Sequence, residues 1–193
     1  MKSRMKSGKV CVIPPKKVYF ICTEGETEKQ YFDQFKGGNF TIKCFSCKGK
    51  TKDVLQTIEK RCLAGKADFC WLVLDVDDHK SGYFDSLFEW KKGKITRGLA
   101  ISNPCFEYWI LLHYQKPTKT CNKPGDCIEQ LNDHVAYSKD ISGIKFDREA
   151  IDRAINFADQ IESENKDRPI TERNGSTVFQ LVKDLIKVPH VPF

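Results

Sequence analysis

The apolar run Phe69-Cys70-Trp71-Leu72-Val73-Leu74 is closed by Asp75-Val76-Asp77-Asp78. An uninterrupted run of this kind reads as a strand buried on both faces, the type found inside a parallel sheet. A second run, Val18-Tyr19-Phe20-Ile21-Cys22, ends in the same way, at Glu24-Gly25-Glu26-Thr27-Glu28. Three carboxylates within four positions at the mouth of a buried strand repel one another unless a cation sits among them. If the two strand ends are neighbours in one parallel sheet, the two acidic turns share a single divalent metal site.

The rest of the chain supplies the alternation that such a sheet needs. A strand over 17–22 and a turn at 23–25 lead into a helix over 26–35, with Tyr31, Phe32 and Phe35 on its apolar face and Gly37-Gly38 as its stop. A strand over 40–45 precedes a helix capped by Thr51, in which Val54, Leu55, Ile58 and Cys62 recur at helical spacing before Gly65. The strand over 68–76, a short helix over 83–90 and a strand over 97–102 follow. Another helix then starts after Asn103-Pro104, carrying Phe106, Trp109, Ile110 and His113, the last read as a packed residue. Short connections between alternating elements predict an α/β fold, a mostly parallel sheet with helices on both faces. After about Gln115 the pattern becomes a Lys-, Thr- and Pro-rich loop and then helices over 126–134, 148–164 and 177–187, with Asp147 and Ser176 as caps. The division expected is a basic flexible arm over 1–16, an α/β core over 17–115 and a helical C-terminal extension over 116–193 packed on it, one globular domain in all.

Charge and cysteine usage narrow the class further. Of the 32 basic residues, Lys2, Arg4, Lys6, Lys9, Lys16 and Lys17 precede the first acid, and the other 26 match the 26 acids. Any basic surface on the body therefore comes from placement, not from excess. Two loops are candidates for gripping a nucleic-acid backbone: Lys48 with Lys50, and Lys91, Lys92 and Lys94 with Arg97. Nine scattered cysteines suit a reducing compartment, so no structural disulfide is expected. Cys44 and Cys47 with Cys121 and Cys127 offer a zinc set, but without a second close pair, buried thiols are the default. No apolar run is long enough to span a bilayer, and a cytoplasmic protein is expected.

Magnesium takes oxygen ligands and is held by one or two carboxylates together with water and substrate phosphate. Asp75 and Asp77, two apart on extended backbone, would point the same way, and Gly25 allows a phosphate to approach the start of the first helix. Glu26 and Glu28 read as complements to that helix's dipole. Glu-Gly after a first strand with Asp-x-Asp after a later one resembles the Toprim fold of topoisomerases, primases and small nucleases. More narrowly, these motifs with Tyr31-Phe32, Ser102-Asn103-Pro104-Cys105-Phe106-Glu107-Tyr108-Trp109, Leu111-Leu112-His113 and Asn174-Gly175-Ser176-Thr177 resemble the RloB family of defence-associated Toprim-like proteins. The likeness spans about residues 17–187.

The resemblance implies a Toprim-like nuclease that cleaves phosphodiester bonds of RNA or DNA, using Mg²⁺ or Mn²⁺, in prokaryotic antiviral defence alongside an ATPase partner. Glu24 would then be the general acid or base and a metal ligand, and Asp75 and Asp77 metal ligands. Asp78 and Glu107 would hold a second ion or orient the first. Two rivals stand beside this reading. One is a non-catalytic module that binds nucleic acid or a partner and keeps the acids for structure. The other is an aspartate-based phosphatase, in which Asp-x-Asp normally follows the first strand whereas here it follows the third.

Overall fold

The computed structural model describes residues 16–35, 40–47, 49–76, 79 and 82–187. The chain runs β1 (Lys17–Thr23), α1 (Glu26–Asp33), β2 (Phe40–Ser46), α2 (Thr51–Ala64), β3 (Phe69–Asp75), α3 (Tyr83–Lys92) and β4 (Arg97–Asn103). It continues with α4 (Phe106–Leu111), α5 (Pro124–Asn132), α6 (Arg148–Glu164), a 3₁₀ turn at Ile170–Glu172, β5 (Gly175–Ser176) and α7 (Val178–Ile186). The fold is α/β: a five-stranded sheet in the order β2-β1-β3-β4-β5, parallel through its first four strands and antiparallel only at β5.

Strands β1, β3 and β4 are apolar at successive positions because both their faces are covered. Tyr19, Ile21, Trp71, Val73 and Ala100 share one core with residues of α1, α4, α5, α6 and α7. Phe20, Cys22, Leu72, Leu74, Leu99 and Ile101 share the other with α2 and α3. Leu72 and Val73 are fully buried on opposite faces, each worth about 1.5–3 kcal/mol of burial. The helices after residue 116 thus share an apolar core with α1 and α4.

The connections decide where a ligand belongs. The chain passes from β1 outward to β2, then crosses back over β1 to β3 and continues in the other direction to β4. The sheet order therefore reverses between β1 and β3, and in open sheets of this kind the crevice at such a switch point, at the carboxyl ends of the strands, is where ligands sit. Thr23 pairs with Val73 there, so Glu24 and Asp75 emerge side by side.

Several local expectations are corrected. Lys50 occupies the N-cap of α2, and Thr51 is its first residue. Thr177 holds the N-cap position of α7 and Ser176 lies in the sheet opposite Ser102, the two hydroxyls 2.9 Å apart, yet Ser176 Oγ still accepts from the Val178 amide at 3.3 Å. The C-terminal extension is consequently not all helical: it donates the edge strand β5. Asp147 caps α6 as read, its Oδ1 accepting from the Ala150 amide at 2.8 Å. Pro104 lies before α4, joined to Asn103 by a cis peptide bond. A disulfide, not expected from the sequence, joins Cys62 at the end of α2 to Cys70 at the start of β3, with Cα atoms 6.5 Å apart. The turn between these elements is short enough to bring the two thiols together. The arm up to residue 15 and the Gly37-Gly38 stop lie outside the described residues.

Candidate active site

The site grows out of the β1–α1 turn. Gly25 is the N-cap of α1, and a Cβ there would come within 2.7 Å of the Glu28 carboxylate, which folds back over the turn. Glycine leaves that space to the Glu28 carboxylate. The buried Thr23 hydroxyl donates to Gly25 O at 3.0 Å, and Ser46 Oγ donates to Glu24 O at 3.2 Å, tying the turn to the end of β2. Glu24 is thereby aimed at β3: its Oε2 accepts from the Asp75 amide at 2.9 Å and its Oε1 lies 2.7 Å from His79 Nε2. The His79 ring stacks on Tyr83, with centroids 3.6 Å apart and planes 5° from parallel.

Four carboxylates lie within electrostatic reach of one another here: Glu24, Glu28, Asp75 and Glu107. Burial is the main force holding the Asp75 carboxyl well above its ordinary value, and the charges of Glu28, Glu24 and Glu107 add to it, opposed by the Phe106 amide. Its Oδ1 is buried without a partner among the described residues. Glu28, only 4% exposed, is pushed up to about 6, first by burial and then by Glu107 and Glu24. Glu107 projects from α4 and is buried, with Tyr137 Oη donating to its Oε1 at 2.8 Å. Tyr137 belongs to a segment without regular structure that is strapped to α1. Thr27 Oγ1 donates to Lys139 O at 2.7 Å, Gln30 Oε1 accepts from the Ile141 amide at 2.8 Å, and Gln34 Nε2 donates to Ile144 O at 3.0 Å.

An orphaned carboxylate oxygen among like charges, with oxygen as the common donor, fits a hard divalent cation. Among the described residues no three acidic, histidine or cysteine side chains are gathered closely enough to hold an ion as they stand. Glu24 is turned onto the Asp75 amide and His79, while Tyr137 holds Glu107. Asp77 and Asp78 lie outside the described residues.

Of the acids picked from sequence, the fold brings Glu24, Asp75 and Glu107 together. It adds Glu28, His79 and Tyr137. Glu28 does complement the start of α1 as read, accepting from the Glu28 and Gly25 amides, and it also faces Asp75, while Glu26 is exposed and pairs with Lys29 at 3.3 Å. The only signal for His79 was its place directly behind the acidic run, and Tyr137 carried none. His113 is a packed residue as read. Its Nδ1 donates to Trp109 O at 3.0 Å and its Nε2 accepts from Tyr31 Oη at 3.1 Å, and complete burial lowers it to about 3.

The basic loops separate. Lys50 is exposed at the same sheet edge as the acids, and Lys48 lies outside the described residues. Lys91, Lys92 and Lys94 precede β4 and so stand at the opposite, amino edge. Arg97 is committed to structure, its Nη2 2.7 Å from Glu59 and its Nη1 donating to Trp90 O at 2.9 Å. The zinc set does not assemble either. Cys44 packs against the core that holds Cys121 and Cys127, whereas alternation along β2 turns Cys47 into the other core.

Fold and site together define an α/β protein with a buried carboxylate cluster at the switch point of a largely parallel sheet. The chain belongs to the RloB-like protein family, whose model matches residues 19–185. No curated protein and no solved structure matches it. Among the described residues, no helix is long and apolar enough to cross a membrane.

Proposed function

We propose that this protein is a Toprim-like, Mg²⁺- or Mn²⁺-dependent nuclease that cleaves phosphodiester bonds in nucleic acid, serving prokaryotic antiviral defence with an ATPase partner. The observation that carries the reading is Asp75: a buried carboxylate with an unpartnered oxygen, at the sheet's switch point, facing Glu24, Glu28 and Glu107. Structural carboxylates are satisfied by donors, and one left bare among other acids is a ligand-binding feature. Asp75 and Glu24 would hold the ion, with Glu107 released from Tyr137 as a further ligand. The ion supplies charge stabilisation at the attacked phosphate and activation of water or a hydroxyl. His79, hydrogen-bonded to Glu24, is placed to position that carboxylate or exchange a proton with it.

A second reading, a module that binds without cutting, is favoured by one observation: Glu24 already has both oxygens engaged within the protein. Cleavage of single- and double-stranded RNA and DNA with Mn²⁺, with and without the proposed ATPase partner, separates the two. Wild type cuts and Asp75→Asn does not under the nuclease reading, whereas equal activity or equal silence in every combination defeats it.

A further inference from the structure

Beside the acidic site, on its β5 side, the structure carries a cleft of about 570 Å³ that the chemistry above does not use. Its walls include Asn103, Asn122, Asn165, Arg168, Arg173 and Asn174. The size falls in the range of preformed small-molecule sites. Asn103 is one residue beyond Ser102, the residue paired with Asp75, and it pairs with Gly175. At about 4.8 Å per strand, the cleft lies roughly two strand spacings, on the order of 10 Å, from Asp75 along the same carboxyl edge.

The cleft is built, not a gap between loops. Asn174 clamps the loop before α5 by accepting from the Cys121 amide at 2.9 Å and donating to Cys121 O at 2.7 Å. Arg173, only 6% exposed, ties the opposite wall by donating to Arg168 O at 3.0 Å and pairing with Glu162. Gly175, at φ +157°, leaves the space that this guanidinium occupies, since a Cβ there would meet Nη1 at 2.6 Å. Asn103 Nδ2 donates to Ile170 O at 2.9 Å and closes the third side. Three side chains thus cross-link three segments around one opening.

Its chemistry selects the ligand. Arg168 and Arg173 are matched in the walls by Glu164 and Glu172, so the lining is formally neutral and does not suit a phosphate. What it offers is hydrogen-bonding groups. The exposed side chain of Asn122 has no partner among the described residues, and the exposed Arg168 guanidinium makes a single bond, to Glu172 O at 2.6 Å. Unstacked bases of single strands are read by amide side chains on their edges and by guanidinium planes stacked on their faces. We propose that the cleft seats one unpaired nucleobase of the strand whose backbone lies at the acidic site, with Asn122 reading its edge and Arg168 stacking on its face. This rests on the nuclease reading and names what part of the substrate sets its sequence preference.

The test uses the full chain with Ca²⁺ in place of Mg²⁺ or Mn²⁺, so that the phosphate is neutralised and the strand held without being cut, and fluorescence anisotropy with short single-stranded RNA and DNA of each base alone. One base is expected to bind best, and Asn122→Ala and Arg168→Ala each weaken it about tenfold while drawing the other bases level. Photo-crosslinking of a 4-thiouridine strand should mark the segment 120–122 or 165–174. Both variants alter exposed side chains, and unchanged melting excludes a folding defect. Wild type that binds all bases alike, variants that bind as wild type does, or crosslinks confined elsewhere overturn the subsite and leave the nuclease reading standing. Wild type that binds no strand at all, with crosslinking silent, removes both.

Discussion

The two edges of the sheet treat charge in opposite ways. At the amino edge the charges that touch the strands are compensated: Arg97 is held by Glu59 and Trp90 O, with its guanidinium 5.0 Å from the Trp90 ring centre. Asp68 accepts from the Val18 amide at 2.7 Å, and Lys17 lies over the Phe69 ring. At the carboxyl edge four acids converge, one with a bare buried oxygen. Burying a charge without a partner costs several kcal/mol, so a fold selected only for stability would not keep such a cluster. The amino edge is organised to hold the sheet together, and the carboxyl edge is organised to bind.

The largest effect expected from this contrast is at Asp75. Asp75→Asn should lower metal-dependent cleavage by at least about 100-fold while leaving the melting temperature of the metal-free protein unchanged or higher, since a repelled charge is removed. A variant that loses stability and keeps its activity would invert the comparison. Arg97→Ala should do the reverse. It removes an ion pair, a carbonyl hydrogen bond and a ring contact, a loss of about 2 kcal/mol by urea unfolding, with the cleavage rate per folded molecule unaltered.

Protonation sharpens the contrast. Glu28 titrates near 6 against an ordinary 4.5, and Asp75 is shifted in the same direction. The folded protein therefore holds protons that the unfolded chain releases. The stability so gained is fully present below about pH 4.5 and is lost as pH rises through about 6, an amount of about 2 kcal/mol for Glu28, with Asp75 extending the loss upward. Melting curves in EDTA should fall across that window. Glu28→Gln should flatten them, and Mg²⁺ should raise the melting temperature more at pH 8 than at pH 5, because the ion replaces the protons. A metal effect independent of pH would place the ion elsewhere.

The fold was legible because burial on both faces of a strand writes itself into consecutive residues, as in Phe69–Leu74, and because strand-helix alternation limits the topology. Glu24 and Asp75 followed from the rule that ligands gather at carboxyl strand ends. Glu28 was missed because a local rule, acid in the first helical turn, accounts for it equally well. What distinguishes it is Glu107, 79 positions away, brought close only by the packing of α4. Tyr137 reaches Glu107 from a segment with no periodicity, held by Thr27, Gln30 and Gln34 side chains that look like ordinary helix surface in the sequence. β5, two residues long, is below the length at which alternation exists. The Cys62–Cys70 disulfide was hidden because cysteine count speaks to compartment and not to which helix end meets which strand.

The lysines before β4 give the smallest expected effect and the sharpest challenge to the contrast. Lys92 pairs with Glu89 at 2.7 Å, but both side chains are 72% exposed, and an ion pair so placed contributes little to stability. Lys91→Ala and Lys92→Ala should each change unfolding free energy by less than about 0.5 kcal/mol. Standing at the opposite edge from Asp75, they should also leave nucleic-acid affinity and its salt dependence as they are. A strand long enough to wrap from the carboxyl edge to the amino edge would change that. Each lysine touching a phosphate would then lower the slope of log affinity against log salt by about 1 on removal, uniformly across sequences. Such a slope change would show that the substrate is a folded or extended nucleic acid spanning the molecule, and that the amino edge, too, is a binding surface.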